Sequence, residues 1–359
     1  MDTEITETPI PQGELAELIA QAKEVYKANF DGVAWFGRCI FLSFYCERGT
    51  CTFCFRSTQK HLIKHPNKAR RSMHSILAET MMIKAFGWRI EFLTGGYGIL
   101  EDEKLMRIIK LVSQILDEKI WINLGEVSTG LLEEFKPYVD GIVSSIETVE
   151  ETVHNTVCPD KPIAPFIDMI KHARELGFKQ SMTIVIGLGE KKEDFAELEK
   201  FIIDNKMERI TIYALRPIAG TPFTHGPKPV DVAWWIAKTR TTFPTIEIIA
   251  GTAKYRIPEI SLFLDAGANA ITKLPATNIF NKLEGLAVEA EVAKAGRHFV
   301  SKFSSKDVRG EADWEAMLAR TKGLSDAEKE LVMTTLNSYL TNMEKNAQKR
   351  EKLYDSCDL

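Results

Sequence analysis

Three cysteines, Cys46, Cys51 and Cys54, sit close together as C-x4-C-x2-C in Phe-Tyr-Cys-Glu-Arg-Gly-Thr-Cys-Thr-Phe-Cys. Three thiolates on one loop can hold three corners of a [4Fe–4S] cluster and leave the fourth iron open to a small molecule. A cluster that only carries electrons usually has four protein ligands. A structural zinc site also wants four ligands, commonly as two close pairs, and the chain has no second C-x-x-C. The open corner therefore suggests a cluster that binds and activates a ligand. The other thiols are scattered. Cys39 lies in the apolar run before the triad and reads as a small core residue. Cys158 follows a later apolar run, and Cys357 is near the end of the chain.

A cluster loop needs a scaffold, and the hydrophobic pattern supplies one. Apolar runs at Arg38–Tyr45, Arg89–Thr94, Ile120–Gly125, Gly141–Ile146, Gln180–Gly187, Arg209–Leu215, Ile246–Ala250 and Ala270–Lys273 read as strands buried on both faces. Amphipathic segments alternate with them: Ser75–Phe86, Asp102–Leu116, Ala164–Leu176, Lys192–Ile203 and Pro258–Ala266. Eight such units predict an α/β (β/α)8 TIM-type barrel, with chemistry at the C-terminal strand ends. The cysteine loop follows the first strand, where that rule wants it. A helical extension is expected at 1–36, the barrel at 37–305, and a charged helical tail at 306–359.

Polar residues cluster at the other strand ends. The second strand ends in Thr94-Gly95-Gly96-Tyr97, the third leads to Glu126, and the fourth ends at Glu147-Thr148. The fifth runs into Gly187-Leu188-Gly189-Glu190, the sixth into Arg216-Pro-Ile-Ala-Gly-Thr-Pro222, and the seventh into Lys254-Tyr-Arg256. Each has a plain reading as a turn, a helix cap or a surface ion pair.

Taken together with the triad, these segments resemble the radical S-adenosylmethionine (SAM) superfamily. The aromatic Phe53 before the last cysteine belongs to that signature. The first gap is one residue longer than the commonest C-x3-C-x2-C, which reads as a subfamily mark. The resemblance implies a [4Fe–4S] cluster on Cys46, Cys51 and Cys54 with SAM on the open iron. It implies that Thr94, Gly95 and Gly96 offer backbone to the SAM amine and that Glu126 and Glu147 hold ribose or ammonium. It further implies that Gly187 and Leu188 lie along the adenine, and that Arg256 is a basic ligand at the mouth. Tyr97 stands where the family usually has an acidic residue.

The Glu147-Thr148 pair and the Gly-Thr-Pro turn resemble the biotin synthase-like branch. The stretch Cys54-Phe-Arg-Ser-Thr-Gln-Lys60 looks most like subunits of the archaeal-type split lipoyl synthase. That likeness implies a transferase reaction, sulfur insertion into an octanoyl chain in lipoate biosynthesis. The expected partners are a second radical SAM protein, an octanoylated carrier protein or peptide, and ferredoxin or flavodoxin as electron donor. Another biotin synthase-like reaction, such as building the iron-guanylylpyridinol cofactor, is the alternative. A non-catalytic iron–sulfur redox or scaffold protein is the reading from another class, and a scaffold needs no SAM pocket. The tail reads as a solvated helix packed on the barrel exterior or, alternatively, as a lid over the mouth that brings Cys357 toward Cys158 for an auxiliary iron–sulfur cluster.

Bulk composition narrows the rest. The chain has 359 residues, 45% hydrophobic and 27% charged, with net charge −4. That balance gives no reason to expect nucleic-acid binding. No apolar run is long enough to span a membrane, and clustered thiols without a secretion pattern suggest the cytoplasm. The most basic stretch, Arg56–Arg71, follows the triad directly. It reads as a solvated loop or as a docking face for an acidic carrier.

Overall fold

Apolar runs without alternation are satisfied only in a parallel sheet covered by helices, and the chain folds in that way. The computed structural model describes residues 11–98 and 100–357, with side chains up to residue 352. Eight strands pair in sequence order: β1 (Val33–Phe41), β2 (Arg89–Thr94), β3 (Ile120–Asn123), β4 (Val139–Glu147), β5 (Lys179–Ile186), β6 (Arg209–Ala214), β7 (Glu247–Gly251) and β8 (Ala270–Thr272). All the pairings are parallel, and β1 joins both β8 and β2, so the sheet closes into the expected barrel. A short ninth strand, β9 (His298–Phe299), pairs with the start of β1.

The first strand differs from its expected span of Arg38–Tyr45. It starts earlier, at Val33, and stops at Phe41. Beyond Leu42 the chain leaves the barrel ladder. Ser43 bridges antiparallel to Arg70, and its hydroxyl accepts the Tyr45 amide at 3.0 Å. The apolar run outlasts the strand because Leu42 is still buried against the core. The helix expected from Pro258 is likewise a 3-10 turn (Lys254–Glu259) that becomes α-helical only at Ile260. A proline inside that first stretch has no amide to give to a helical ladder.

The main core lies between the strands and the helices. Ile40, Leu93, Ile122, Ile142 and Ile210 face outward from the barrel into it, against Ile76, Ile109 and Phe166 among others. Arg38 on β1 and Arg71 both reach the buried Glu79 of the helix Met73–Ala85, the latter at 2.6 Å. The N-terminal helix Glu14–Asn29 lies against the helix Pro229–Thr242, and Tyr26 donates to the Val33 carbonyl at 3.1 Å.

The tail forms the helix Asp326–Cys357. Its stripe Val332, Leu336, Leu340 and Met343 is buried, and it lies along the helix Met73–Ala85 on the outer wall. Near its far end, Asn346 donates to the Phe280 carbonyl at 3.0 Å and Arg350 to the Asn281 carbonyl at 3.2 Å. The Phe280 ring packs on Phe86 and Trp88, next to the start of β2. The helix therefore runs toward the barrel end opposite the cysteine loop. This is the helix packed on the barrel exterior, and it replaces the alternative of a lid over the mouth: the apolar stripe is already used on the wall. The Cys357 side chain lies outside the described residues. Among the described residues, no helix is long and apolar enough to cross a membrane.

Candidate active site

The C-terminal strand ends converge on the cysteine loop. Thr52 of this loop donates its amide to the Val157 carbonyl at 2.8 Å, which ties the loop to the segment after β4. The amides of Gly49 and Tyr97 both point at the Cys46 sulfur at 3.4 Å. A Cβ at Gly96 would overlap Tyr45 and Cys46. Gly96 is therefore needed first of all for the close approach of the cysteine loop. All three thiols are partly exposed. The neighbouring Cys158 thiol lowers the pKa of Cys51, and Lys161 adds to this against the effect of burial. Burial raises that of Cys54, and Arg56 opposes it.

Among the described residues, no three Cys, His, Asp or Glu side chains converge as ligands of a single ion. A cubane takes each thiolate on a different iron, so thiols spread along one loop suit it and do not suit zinc. The donor set fits a [4Fe–4S] cluster on Cys46, Cys51 and Cys54. Two amides beside Cys46 give that thiolate the hydrogen bonds that such sulfurs ordinarily receive.

The other expected residues divide into two groups. Thr94, Gly95, Gly96, Glu126, Glu147, Gly187 and Leu188 all lie at or just beyond strand ends on the cysteine side. Phe53 packs into the apolar cluster of Val157, Val185 and Leu188. Glu147 has a left-handed backbone (φ 67°) after an irregularity in the β4–β5 register. Its Oε1 accepts from the buried Lys161 at 2.5 Å. Burial acts against the charge of Lys161, but Glu147 and the Cys158 and Cys51 thiols outweigh it, and its pKa is raised. Glu126 is held by Arg48 in a two-point pair at 3.1 Å, and Arg48 stacks 3.8 Å over the Tyr97 ring.

The Gly187 turn is occupied differently from expectation. Its amides at Gly187, Leu188 and Gly189 converge on the Glu190 carboxylate at 2.7, 2.9 and 3.2 Å. Leu188 itself is buried with Val157, Val185 and Leu215. Glu147 and Glu190 line one small pocket with Thr148, Val149, Ile184 and Ile186. Arg256 departs from its expected role as a ligand at the mouth. It is buried, paired with Glu259 at 2.7 Å, and donates to the Pro227 carbonyl at 3.0 Å. It clasps two loops together.

Several interior residues had not been singled out. Glu91 on β2 is 1% exposed inside the barrel. It accepts from the Cys39 thiol at 2.6 Å, Tyr213 at 2.6 Å, Thr211 at 3.1 Å and Thr272. Cys39 is thus part of a polar hub; burial and the nearby Glu91 push its pKa far up. Asn123 and Ser145 form another polar contact at 3.0 Å. A glutamate inside the apolar run Arg-Ile-Glu-Phe-Leu-Thr was the available signal, since an unpaired carboxylate is not left in a barrel core.

Known proteins agree with this geometry. Residues 40–202 match the family described as the Radical SAM superfamily. An uncharacterized protein of Methanocaldococcus jannaschii is 34% identical over 298 residues, 81% of this chain and 82% of that protein. The biotin synthase of Thermotoga neapolitana is 23% identical over 257 residues, 69% of this chain and 86% of that protein. Among solved structures, methylornithine synthase superposes with a TM-score of 0.66 at 20% identity, covering 86% of this chain and 93% of that one. With the three thiols at the mouth of a closed parallel barrel, residues 40–202 carry a radical SAM domain, and the chain is similar in sequence to biotin synthases.

Proposed function

We propose that the protein abstracts hydrogen from a small polar organic molecule drawn into its barrel. When bound, the reduced cluster supplies the electron that cleaves SAM to methionine and a 5′-deoxyadenosyl radical. The chain's residues do the rest. Cys46, Cys51 and Cys54 hold the cluster at the mouth. Thr94, Gly95, Gly96, Glu126 and Glu147 surround the place where the amino acid and ribose of SAM belong. The backbone and side chain of Leu188 suit the adenine. The barrel wall excludes water from the reacting carbon.

The Glu91 hub carries this reading. A fully buried carboxylate with four donors makes the interior below the mouth polar, which suits a substrate with its own polar groups.

Sulfur insertion into an octanoyl chain is the second reading. It is favoured by His61, Lys64, His65 and Lys68, which are exposed beside the cysteine loop as a face for an acidic carrier. The rest of that basic stretch is used internally. Arg56 donates to the Ser43 carbonyl, Lys60 to the Arg48 carbonyl, and Arg70 and Arg71 pair with Glu101 and Glu79. This reading also needs sulfur from elsewhere. Among the described residues, Cys39 lies with Glu91 and Cys158 beside Cys51, so no second cysteine set is gathered.

One experiment separates the two readings. Anaerobically reconstituted protein with SAM and dithionite is given either the small-molecule filtrate of a cell extract or its octanoylated protein fraction. Stimulation of 5′-deoxyadenosine formation by the filtrate supports the first reading. Stimulation by the protein fraction alone, with a sulfur-bearing product, replaces it with the second.

A further inference from the structure

Cations at the barrel mouth are mostly matched to carboxylates. Arg48 holds Glu126, Lys161 holds Glu147, and Arg256 holds Glu259. Lys273, the first residue past β8, is different. Its ammonium lies 4.8 Å from the Tyr213 ring centre, 5.0 Å from Phe41 and 5.8 Å from Phe92. It makes no ion pair among the described residues, and it is exposed. Three rings hold a cation in place through their electron-rich faces without neutralising it. The N–H groups keep their full capacity for an incoming anion.

The surroundings are built around this placement. The Tyr213 hydroxyl donates to Glu91 at 2.6 Å, which fixes the ring that lies by Lys273. A Cβ at Gly251 on β7 would overlap that same ring. The Lys273 backbone is left-handed (φ 68°), a conformation that lysine rarely adopts and that costs free energy. Lys273 stands at the C-terminal strand ends, the functional face of such a barrel.

We infer that Lys273 anchors the carboxylate of a small organic acid, with Phe41, Phe92 and Tyr213 walling the acid's carbon chain. This deepens the reading of a small polar substrate, and rests on it. The single ammonium suits a monoanion. The three rings suit an apolar stem next to the charged group. A phosphate has more charge than one lysine matches and no use for an aromatic wall.

The test uses cluster-loaded protein with SAM and no reductant. Saturation-transfer NMR follows matched probes: propionate against propionamide, and hexanoate against hexanamide. Wild type should bind each acid at least tenfold more tightly than its amide. Lys273→Met, which keeps the stem length, should abolish that preference. Lys273→Arg, which keeps the charge, should retain it. Cluster absorbance and the thermal midpoint confirm that each variant is folded. Equal binding of acid and amide, failure of both acids to bind, preference for inorganic phosphate, or a preference that survives in Lys273→Met would overturn the inference. SAM cleavage by the wild type with dithionite is measured in parallel. Normal cleavage without acid binding removes only the Lys273 anchor. Absent cleavage removes the reading of the whole site.

Discussion

Arg209 and Lys273 both lie against aromatic rings inside the same barrel, at opposite ends. Arg209 packs 4.0 Å from the Trp121 ring centre and 5.7 Å from Trp35, and its Nε is paired with Glu247. Arg89 stacks on Trp35 from another side at 5.2 Å. At this floor Arg209 has both rings and a carboxylate of the same chain. At the mouth, Lys273 has the rings but no carboxylate. A ring contact is worth about 0.5–2 kcal/mol and does not remove the need for a counter-ion. Arg209, paired within the chain, holds the fold, whereas Lys273 keeps its charge open to a ligand.

The largest expected effects come from the open mouth. Changing Cys46, Cys51 or Cys54 to Ala should abolish both the cluster's visible absorbance and 5′-deoxyadenosine formation. The iron-free protein should still unfold at the wild-type midpoint, since all three thiols are partly exposed and outside the main core. Full SAM cleavage in any one of these variants would remove that cysteine from the site.

Glu147 is the residue that blurs the comparison, because it is paired with Lys161 and also faces the SAM region. Glu147→Gln leaves a buried ammonium without its anion, a loss of about 3–5 kcal/mol in stability where burial is complete. SAM binding should weaken by about 1–3 kcal/mol if the carboxylate also accepts from the ligand. The double variant Glu147→Gln, Lys161→Met separates the two roles. It should recover much of the stability and none of the SAM affinity, by denaturant unfolding and by isothermal titration. Recovery of both would make Glu147 a structural group only.

At the floor the effect should be smaller and confined to stability. Glu247→Gln leaves Arg209 with its rings alone. Both side chains keep some solvent access, 12% and 26%, so the cost should be about 1–2 kcal/mol. SAM affinity should not change. A change in SAM binding would show that floor and mouth are coupled.

The parts legible in the sequence were those with a strong local cause. β2 and the helix Asp102–Leu116 matched residue for residue, because apolar runs and a wide amphipathic face specify them without reference to the rest. The triad was legible because its spacing is rare. The partnerships were not legible. Arg256 could be read as a ligand at the mouth or as an ion pair, because its partner Glu259 lies one turn on and Pro227 comes from another loop. Lys273 looked like the end of a strand, since its three rings come from β1, β2 and β6. Cys39 read as core because nothing local shows that Glu91 faces it across β1 and β2. The tail's apolar stripe was visible, but its choice of wall over mouth depends on a surface formed by Met73–Ala85 and Phe280.

The smallest effect is one of pH, and it tests the paired side of the comparison on the outer wall. Glu79 is 2% exposed between Arg38 and Arg71. Burial alone would push its pKa up, but the two guanidinium groups and their hydrogen bonds outweigh this and hold it below its ordinary value of 4.5. A depressed carboxylate pKa means that the folded state binds the proton less readily than the unfolded chain. Its contribution is therefore present above pH 4.5 and lost as pH falls from there through the folded value. Denaturant unfolding of the iron-free protein from neutral pH down to about pH 4 should show stability falling faster in wild type than in Glu79→Gln. The variant should be less stable at neutral pH and the gap should close with acid. Lys273→Met, where no carboxylate is paired, should keep the wild-type slope. Equal slopes in wild type and Glu79→Gln would mean that Glu79 keeps an ordinary pKa and that its two arginines are held by other contacts.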